Sequence, residues 1–458
     1  MHAIIFTAVF GVILLFSGLF LRRKQTFRWL AVAGMALIFI LNWMDYQGPV
    51  PALLAGMIHP DHASILFNAV AFGCTLVYFL LSGKDFEKLG DYTAEYFALI
   101  FFILCGVAIA SSFTHLLMLF LAIEIISIPQ YILVGSEKHN LKGNEASLKY
   151  FLMGAFSTGF LLMGIALLYG ATGTFNIEQM HLAGSGINPL VLTGILFLIV
   201  ALSFKVSAVP FHFWTPDVYD GAPTVITSFI STVVKAAGFI AFIRLFSYSF
   251  DAGNINTHWT LVLAIITAAT LILGNFTAVF QQSVKRMLAY SSIAQAGFML
   301  FAVISLNKLA WDGILLYAAA YSLATMGAFA ILIKMKDYTF DGYNGLARKH
   351  PLLALTNTVF LLSLTGIPAT AGFMAKYFVL SAAIHKGGLL WLVILAVCCA
   401  AISSYYYFRV IRAMYFTPGE PSLDDQEISP GFKGMLAFTA ILLIVLGIFP
   451  GLIIHWLP

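Results

Sequence analysis

Fourteen apolar runs of about 20 residues follow one another along this chain, each long enough to cross a bilayer as a helix. They fall near 2–21, 27–44, 62–82, 95–112, 114–134, 145–170, 187–209, 222–247, 258–280, 286–305, 310–335, 352–383, 388–413 and 434–456. The seventh is expected to continue as a short second half through 211–218. The longest polar connection, TPGEPSLDDQEISPGFKG at 417–434, is a loop and leaves no room for a soluble domain. Of the 458 residues 61% are hydrophobic and 10% charged, where a soluble domain carries about 25% charged residues. The expectation is an all-α polytopic membrane protein with about fourteen transmembrane helices in a single membrane domain, 1–458. The first run is followed, not preceded, by Arg22, Arg23 and Lys24. A cleavable secretory signal has the reverse order, so this run reads as a permanent span.

Basic residues orient the spans. With the N-terminus outside, 18 of the 24 Lys and Arg lie on the cytoplasmic side, among them Lys84, Lys88, Lys142, Lys285, Arg286, Lys334 and Arg348. The outer side keeps Arg244, Lys308 and Lys386. This positive-inside bias supports fourteen spans with both termini outside. No basic patch suited to nucleic acid is present. Cys74, Cys105, Cys398 and Cys399 lie in apolar segments without metal-site spacing, so no metal or iron–sulfur ligand set is expected in this chain.

Three lysines, Lys205, Lys235 and Lys376, remain deep inside spans, and one acid, Glu124 in LFLAIEIISIPQYIL, sits mid-span. Each ionisable group at the centre of a spanning helix costs roughly 2.5–3.5 kcal/mol, so four unpaired ones cost on the order of 10–14 kcal/mol. Buried ion pairs that fix helix packing are the bland explanation. Three lysines cannot all pair with one glutamate, which favours a hydrated ion pathway. Desolvation favours the neutral form of an amine, whereas a nearby carboxylate favours the charged form. Moving Glu124 relative to Lys205 would therefore change how tightly that lysine holds its proton.

Pro210 interrupts the helix five residues after Lys205, and a proline frees a backbone carbonyl one turn earlier. Such freed groups are tolerated at membrane depth beside protein or water, so the break is expected to give Lys205 polar surroundings. The twelfth span, LSLTGIPATAGFMAKYFVL, repeats the arrangement with Pro368 and Lys376. Spans 4–8 (95–247) and 9–13 (258–413) each contain five helices, an odd number, so a repeat between them would be inverted. Segment 1–90 adds three helices before it and 434–456 one after. Broken helices paired across inverted halves point to a transport pathway near the midplane.

Five stretches carry a family resemblance: LFLAIEIISIPQYILVG (119–135), EASLKYFLMGAFSTGFLLMGIALLYGATGT (145–174), FKVSAVPFHFWTPDVYDGAPT (204–224), KRMLAYSSIAQAGFML (285–300) and GIPATAGFMAKYFVLSAA (366–383). Together they resemble the N subunits of bacterial NADH:quinone oxidoreductase, respiratory complex I. The resemblance implies a fourteen-helix antiporter-like subunit with inverted repeats and broken helices 7 and 12. It implies one proton channel, coupled to electron transfer from NADH to quinone in other subunits. No cofactor is then expected in this chain; FMN, iron–sulfur clusters and quinone would be held elsewhere in the complex. Its partners would be the other membrane subunits, the peripheral arm and lipid, in the bacterial plasma membrane. By motif, Glu124 and Lys205 would form a modulating pair, Lys235 a central relay, and Lys376 the link to the outer side.

The family often carries His where this chain has Gln295, and an amide does not titrate but can hold a water. Tyr290, Ser291 and Ser292 could support a water path. His212, Asp217 and Asp220 could pass protons inward, or could belong to an amphipathic half-helix and turn. Gly274 and Asn275 are expected at a close helix contact, and Tyr405, Tyr406 and Tyr407 to stack on a neighbour or on lipid. L-type sisters add a long lateral helix that is not expected here. M-type sisters usually carry an acid at the position of Lys376. The alternative functions are a subunit of a multi-subunit cation/proton antiporter or membrane-bound hydrogenase, and a structural subunit with a silent channel.

Overall fold

The computed structural model describes residues 1–45, 54, 56–180, 188–251, 255–424 and 427–454. The span ends expected at 187 and at 455–456 lie outside these residues. Among the described residues the chain is helical, with isolated β-bridges and no strand. The first half holds α1 (His2–Phe20), α2 (Lys24–Met44), α3 (His62–Ser82), α4 (Thr93–Ser112), α5 (Leu116–Val134), α6 (Leu141–Thr172), α7 (Pro189–Lys205), α8 (Trp214–Gly221), α9 (Thr224–Phe229) and α10 (Lys235–Ser249). A 3₁₀ turn, Gly83–Lys88, extends α3, and a π-helical turn, Ile230–Val234, joins α9 to α10. The second half holds α11 (Ile255–Val279), α12 (Val284–Ser305), α13 (Lys308–Ile333), α14 (Leu346–Lys349), α15 (Pro351–Thr365), α16 (Ala371–Lys386), α17 (Leu390–Phe416), α18 (Pro430–Ile448) and α19 (Gly451–Ile454).

Twelve of the described helices, with Thr224–Ser249 as one unit, are long and apolar enough to cross a membrane. The two other expected spans, 187–209 and 352–383, fall as pairs of shorter helices, α7 with α8 and α15 with α16. Single long helices therefore do not reach the expected fourteen. The second half of the seventh span also lies later than expected, at Trp214–Gly221. Starts are set by side-chain caps. Asp61 accepts from Ser64 N at 2.8 Å before α3, Asn188 from Leu190 N at 2.9 Å before α7, and Asn307 from Ala310 N at 3.0 Å before α13. Each satisfies an amide that the helix leaves open.

The Thr224–Ser249 unit and α13 are buried all round and α12 nearly so, forming the centre. At the rim, α1, α2, α6 and α18 expose Phe20, Ile40, Phe156 and Ile441, as expected of surfaces that meet lipid in a multi-pass membrane protein. The Gly274–Asn275 reading holds in its geometry. A Cβ at Gly274 would sit 2.7 Å from the Ala294 nitrogen, so α11 and α12 meet backbone to backbone.

The ends assigned to the cytoplasmic side share one face. There, Lys334 bonds Asp85 at 2.6 Å, with both side chains buried, and Lys88 bonds Asp85 at 3.0 Å and also Glu427. The 417–434 loop is thereby tied to the end of α3. Arg244, placed on the outer side by sequence, is fully buried within α10, beside Asp61 at the end of α3 opposite Asp85. It donates to Asp61 at 2.5 Å and to the Phe113 carbonyl at 2.8 Å. The guanidinium is held inside protein because the cap of α3 supplies its counter-charge.

Two predictions follow from these pairs. Lys334→Met leaves Asp85 buried with only the half-exposed Lys88, so it should cost about 3–5 kcal/mol and lower the melting temperature of the purified protein. Burial opposes ionisation of Asp61, but Arg244, the Ser64 amide and the Tyr248 hydroxyl together hold its carboxyl below the usual range. A depressed carboxyl stabilises fully above its unfolded value and loses that contribution as pH falls through its folded value. The stability gap between wild type and Asp61→Asn should thus be constant above about pH 4 and shrink below it in acid-unfolding scans.

Candidate functional site

Lys205 is the last residue of α7. The helix stops there, five residues before Pro210, because Ser207 turns into the left-handed region at φ 65°. The Val209–Pro210 peptide bond is cis. Ala208 N donates to the Ser203 carbonyl at 2.8 Å, Trp214 Nε1 to the Phe204 carbonyl at 3.1 Å, and Val209 N to Thr270 Oγ1 at 2.9 Å. These bonds occupy the Ser203 and Phe204 carbonyls at the break, so the polar partner of Lys205 comes from another helix. The lysine Nζ donates instead to Ser127 Oγ of α5, at 2.8 Å. Glu124 stands one helical turn before Ser127, and its Oε1 accepts from Thr158 Oγ1 of α6 at 2.7 Å. Among the described residues, Glu124 and Lys205 form no direct ion pair; they are neighbours through α5.

Lys235 opens α10 just after the π turn and is buried. Its Nζ donates to the Ser292 carbonyl at 3.0 Å and to Ser292 Oγ at 2.9 Å, and lies 5.8 Å from the Tyr219 ring centre. No carboxylate is paired with it among the described residues. Wide turns of this kind recur at functional positions, because they rotate a side chain out of regular register.

Lys376 shows what the second helix break provides. Its Nζ donates to the carbonyls of Leu364 and Thr365 at 2.9 and 2.8 Å, at the C-terminal end of α15. That end presents unpaired carbonyls and the negative pole of the helix dipole. The Phe298 ring centre lies 4.6 Å from the amine. Gly366 follows at φ 89°, and a Cβ there would stand 3.0 Å from Lys376 Cδ. Backbone conformation and space both require glycine.

Two of the three lysines, Lys235 and Lys376, are brought together along α12. Ser292 holds Lys235. Its neighbour Ser291 bonds the Tyr407 hydroxyl, and Gln295, one turn on, donates from Nε2 to the Leu364 carbonyl at 2.8 Å and to the Tyr407 oxygen at 3.3 Å. Tyr317 donates to Gln295 Oε1. Buried hydroxyls without a hydrogen-bond partner stand on the elements framing the row, at Ser203, Ser207, Thr215, Tyr219, Ser228, Tyr321 and Thr325. Each is costly in a dry interior, so together they suit a hydrated one.

The remaining sequence candidates are placed differently. His212 is buried between α7 and α8 with its Nδ1 unpartnered. Tyr290 is half-buried and outside these bonds. Asp217 and Asp220 pair at the surface, Asp217 with Lys149 at 3.1 Å and Asp220 with Arg286 at 3.7 Å. Of the three tyrosines expected at lipid or a neighbour, Tyr405 is exposed, while Tyr406 and Tyr407 turn fully inward. Sequence reasoning missed Ser127, Thr158, Tyr317 and the π turn, and placed Tyr407 outside the site. The spacing of Ser127 from Glu124 was the one available signal.

Replacing Gly366 by Ala should cost about 1–2 kcal/mol in backbone strain and push Lys376 off its carbonyls. The measurable outcome is a lower melting temperature, together with weakened proton movement if the row carries protons.

The family described as NADH:quinone oxidoreductase/Mrp antiporter, TM, matches residues 112–403, more than half of the chain. The NADH-quinone oxidoreductase subunit N of Trichlorobacter lovleyi is 37% identical, over 98% of this chain and 94% of that protein. A chain of respiratory complex I from Thermus thermophilus with bound aureothin superposes with a TM-score of 0.83 at 32% identity, covering 99% and 98% of the two chains. A chain of an archaeal respiratory membrane complex, the membrane-bound sulfane sulfur reductase, gives 0.85 at 25% identity, covering 99% and 95%. The broken helices and buried lysines therefore sit in a member of the NADH:quinone oxidoreductase/Mrp antiporter family, and within it the chain belongs to the subunit N proteins of NADH-quinone oxidoreductase.

Proposed function

We infer that this chain is a proton-translocating membrane subunit of NADH-quinone oxidoreductase. The observation that carries the reading is the set of amines inside the spans: partly buried Lys205 and buried Lys235 and Lys376 each rest on neutral oxygens rather than on a carboxylate. A lysine kept only for packing would be expected to find a counter-charge. An amine on hydroxyls and carbonyls can exist charged or neutral, and so can take up and release a proton.

In this reading Glu124 sets the charge balance at Lys205. It sits one turn from the serine that anchors the lysine and is itself held by one hydroxyl, Thr158. Moving a unit charge from 4 to 8 Å changes an interaction by about 2 kcal/mol at an effective dielectric constant near 20. A small displacement of α5 against α6 is enough to bias the proton on Lys205. Lys235 passes it across the centre and Lys376 delivers it to the second break. The pairs α7–α8 and α15–α16 each cross the membrane once, giving two inverted five-helix repeats, 95–247 and 258–413, within one domain. The face with Lys88, Lys334 and Arg286 lies in the cytoplasm of a bacterial cell, and both termini lie outside. FMN, iron–sulfur clusters and quinone belong to other subunits, with which this chain assembles.

The test uses Lys205→Ala in the assembled complex in inverted membrane vesicles, after a native gel shows normal assembly. Quinone-linked electron transfer and proton uptake are measured together. Both should fall, on the order of tenfold, as for loss of a positioned proton-transfer group. Wild-type values for both would make Lys205 structural and the channel silent. A chain that runs without redox partners, exchanging cations for protons by itself, would favour the antiporter reading.

A further inference from the structure

One turn along α12 from the serine that holds Lys235, and bonded to the carbonyl that holds Lys376, stands an amide, and an amide neither accepts nor releases a proton readily. Gln295 is also fixed in orientation. Tyr317 donates to its Oε1, so Nε2 must face the Leu364 carbonyl at 2.8 Å and the Tyr407 oxygen at 3.3 Å. The Leu364 carbonyl is the one that also holds Lys376, at 2.9 Å. On its other side the Tyr407 hydroxyl bonds Ser291, the neighbour of the serine that holds Lys235. Tyr407 reaches this point from α17 and is fully buried.

We propose that Tyr407 is the proton relay between Lys235 and Lys376, and that Gln295 is the positioning residue that aims it. The proposal rests on the proton-path reading above and adds a group to it. A phenol can pass a proton without holding charge. A proton arriving through water from the Ser291 side forms a new O–H bond on the Tyr407 oxygen while the original O–H bond breaks towards a second water, which gives up one of its own protons to the neutral amine of Lys376. The amine becomes an ammonium, the phenol is restored after rotation, and no oxidant or reductant is involved. Gln295 supplies an N–H that keeps the phenol oxygen in place between the two lysines and ties that placement to the carbonyl under Lys376.

The test is Tyr407→Phe in the assembled complex in inverted vesicles, beside Lys235→Ala. Tyr407→Phe keeps the ring and removes only the hydroxyl. Proton uptake and electron transfer should fall roughly tenfold. Adding Gln295→His to Tyr407→Phe places a titratable imidazole at the same point and should restore at least half of the lost proton uptake. A packing role for the tyrosine would not respond to that second change. Wild-type behaviour of Tyr407→Phe, or no recovery with Gln295→His, overturns the relay. If Lys235→Ala is active as well, the proton-path reading itself fails; if Lys235→Ala is inactive while Tyr407→Phe is normal, only the relay is lost. Should Tyr407→Phe not assemble, Ser291→Ala removes the hydroxyl partner and must produce the same loss, or the proposal falls.

Discussion

An ammonium group cannot rest in hydrocarbon without polar contacts, and the centre of this molecule is arranged around that constraint. Three lysines from three separate helices reach inward, and each finds its oxygens on a different helix or across a helix break: Lys205 on α5, Lys235 on α12, Lys376 on the end of α15. The lysines thus add polar bonds between packed helices. Where a full counter-charge is used, as at Lys334 and Arg244, the cation lies towards an end of its helix, where solvent, loops and caps can supply a carboxylate.

The two helix breaks resemble each other in sequence and differ in chemistry. At the first, Trp214 and Ala208 take the carbonyls that the broken helix releases, so the amine of Lys205 looks to a serine. At the second, the released carbonyls become the seat of Lys376, and Gly366 leaves the space for it. A proton leaving Lys205 alters a side-chain contact between two helices. One leaving Lys376 alters the termination of a helix. The two steps are coupled to different parts of the backbone.

Much of the architecture was legible before any coordinates. Apolar length marks the spans, and the cost of charge in a bilayer singles out Glu124, Lys205, Lys235 and Lys376 with no knowledge of their neighbours. The partners were not legible, for a physical reason. In a soluble protein the polar face of a helix shows which side is outside. Here lipid and core are both apolar, so α17 gives no sign that Tyr405 faces out while Tyr406 and Tyr407 face in. The proline likewise marks that the seventh helix breaks but not where: Ser207 ends it, and nothing in the residue type announces a left-handed turn. The π turn before Lys235 leaves no mark in composition at all.

The clamp among Asp85, Lys88, Lys334 and Glu427 also bears on how the chain is made. Asp85 and Lys334 are 249 residues apart in sequence. At ribosomal speeds of about 5–20 residues per second, Asp85 emerges roughly 12–50 s before its buried partner. Throughout that interval its other ion-pair partner, Lys88, three residues on, is already present. The end of α3 therefore carries its own temporary counter-charge. The early helices can wait in the membrane half-finished, and the final seal is made only when the loop with Glu427 closes over the far end of the chain.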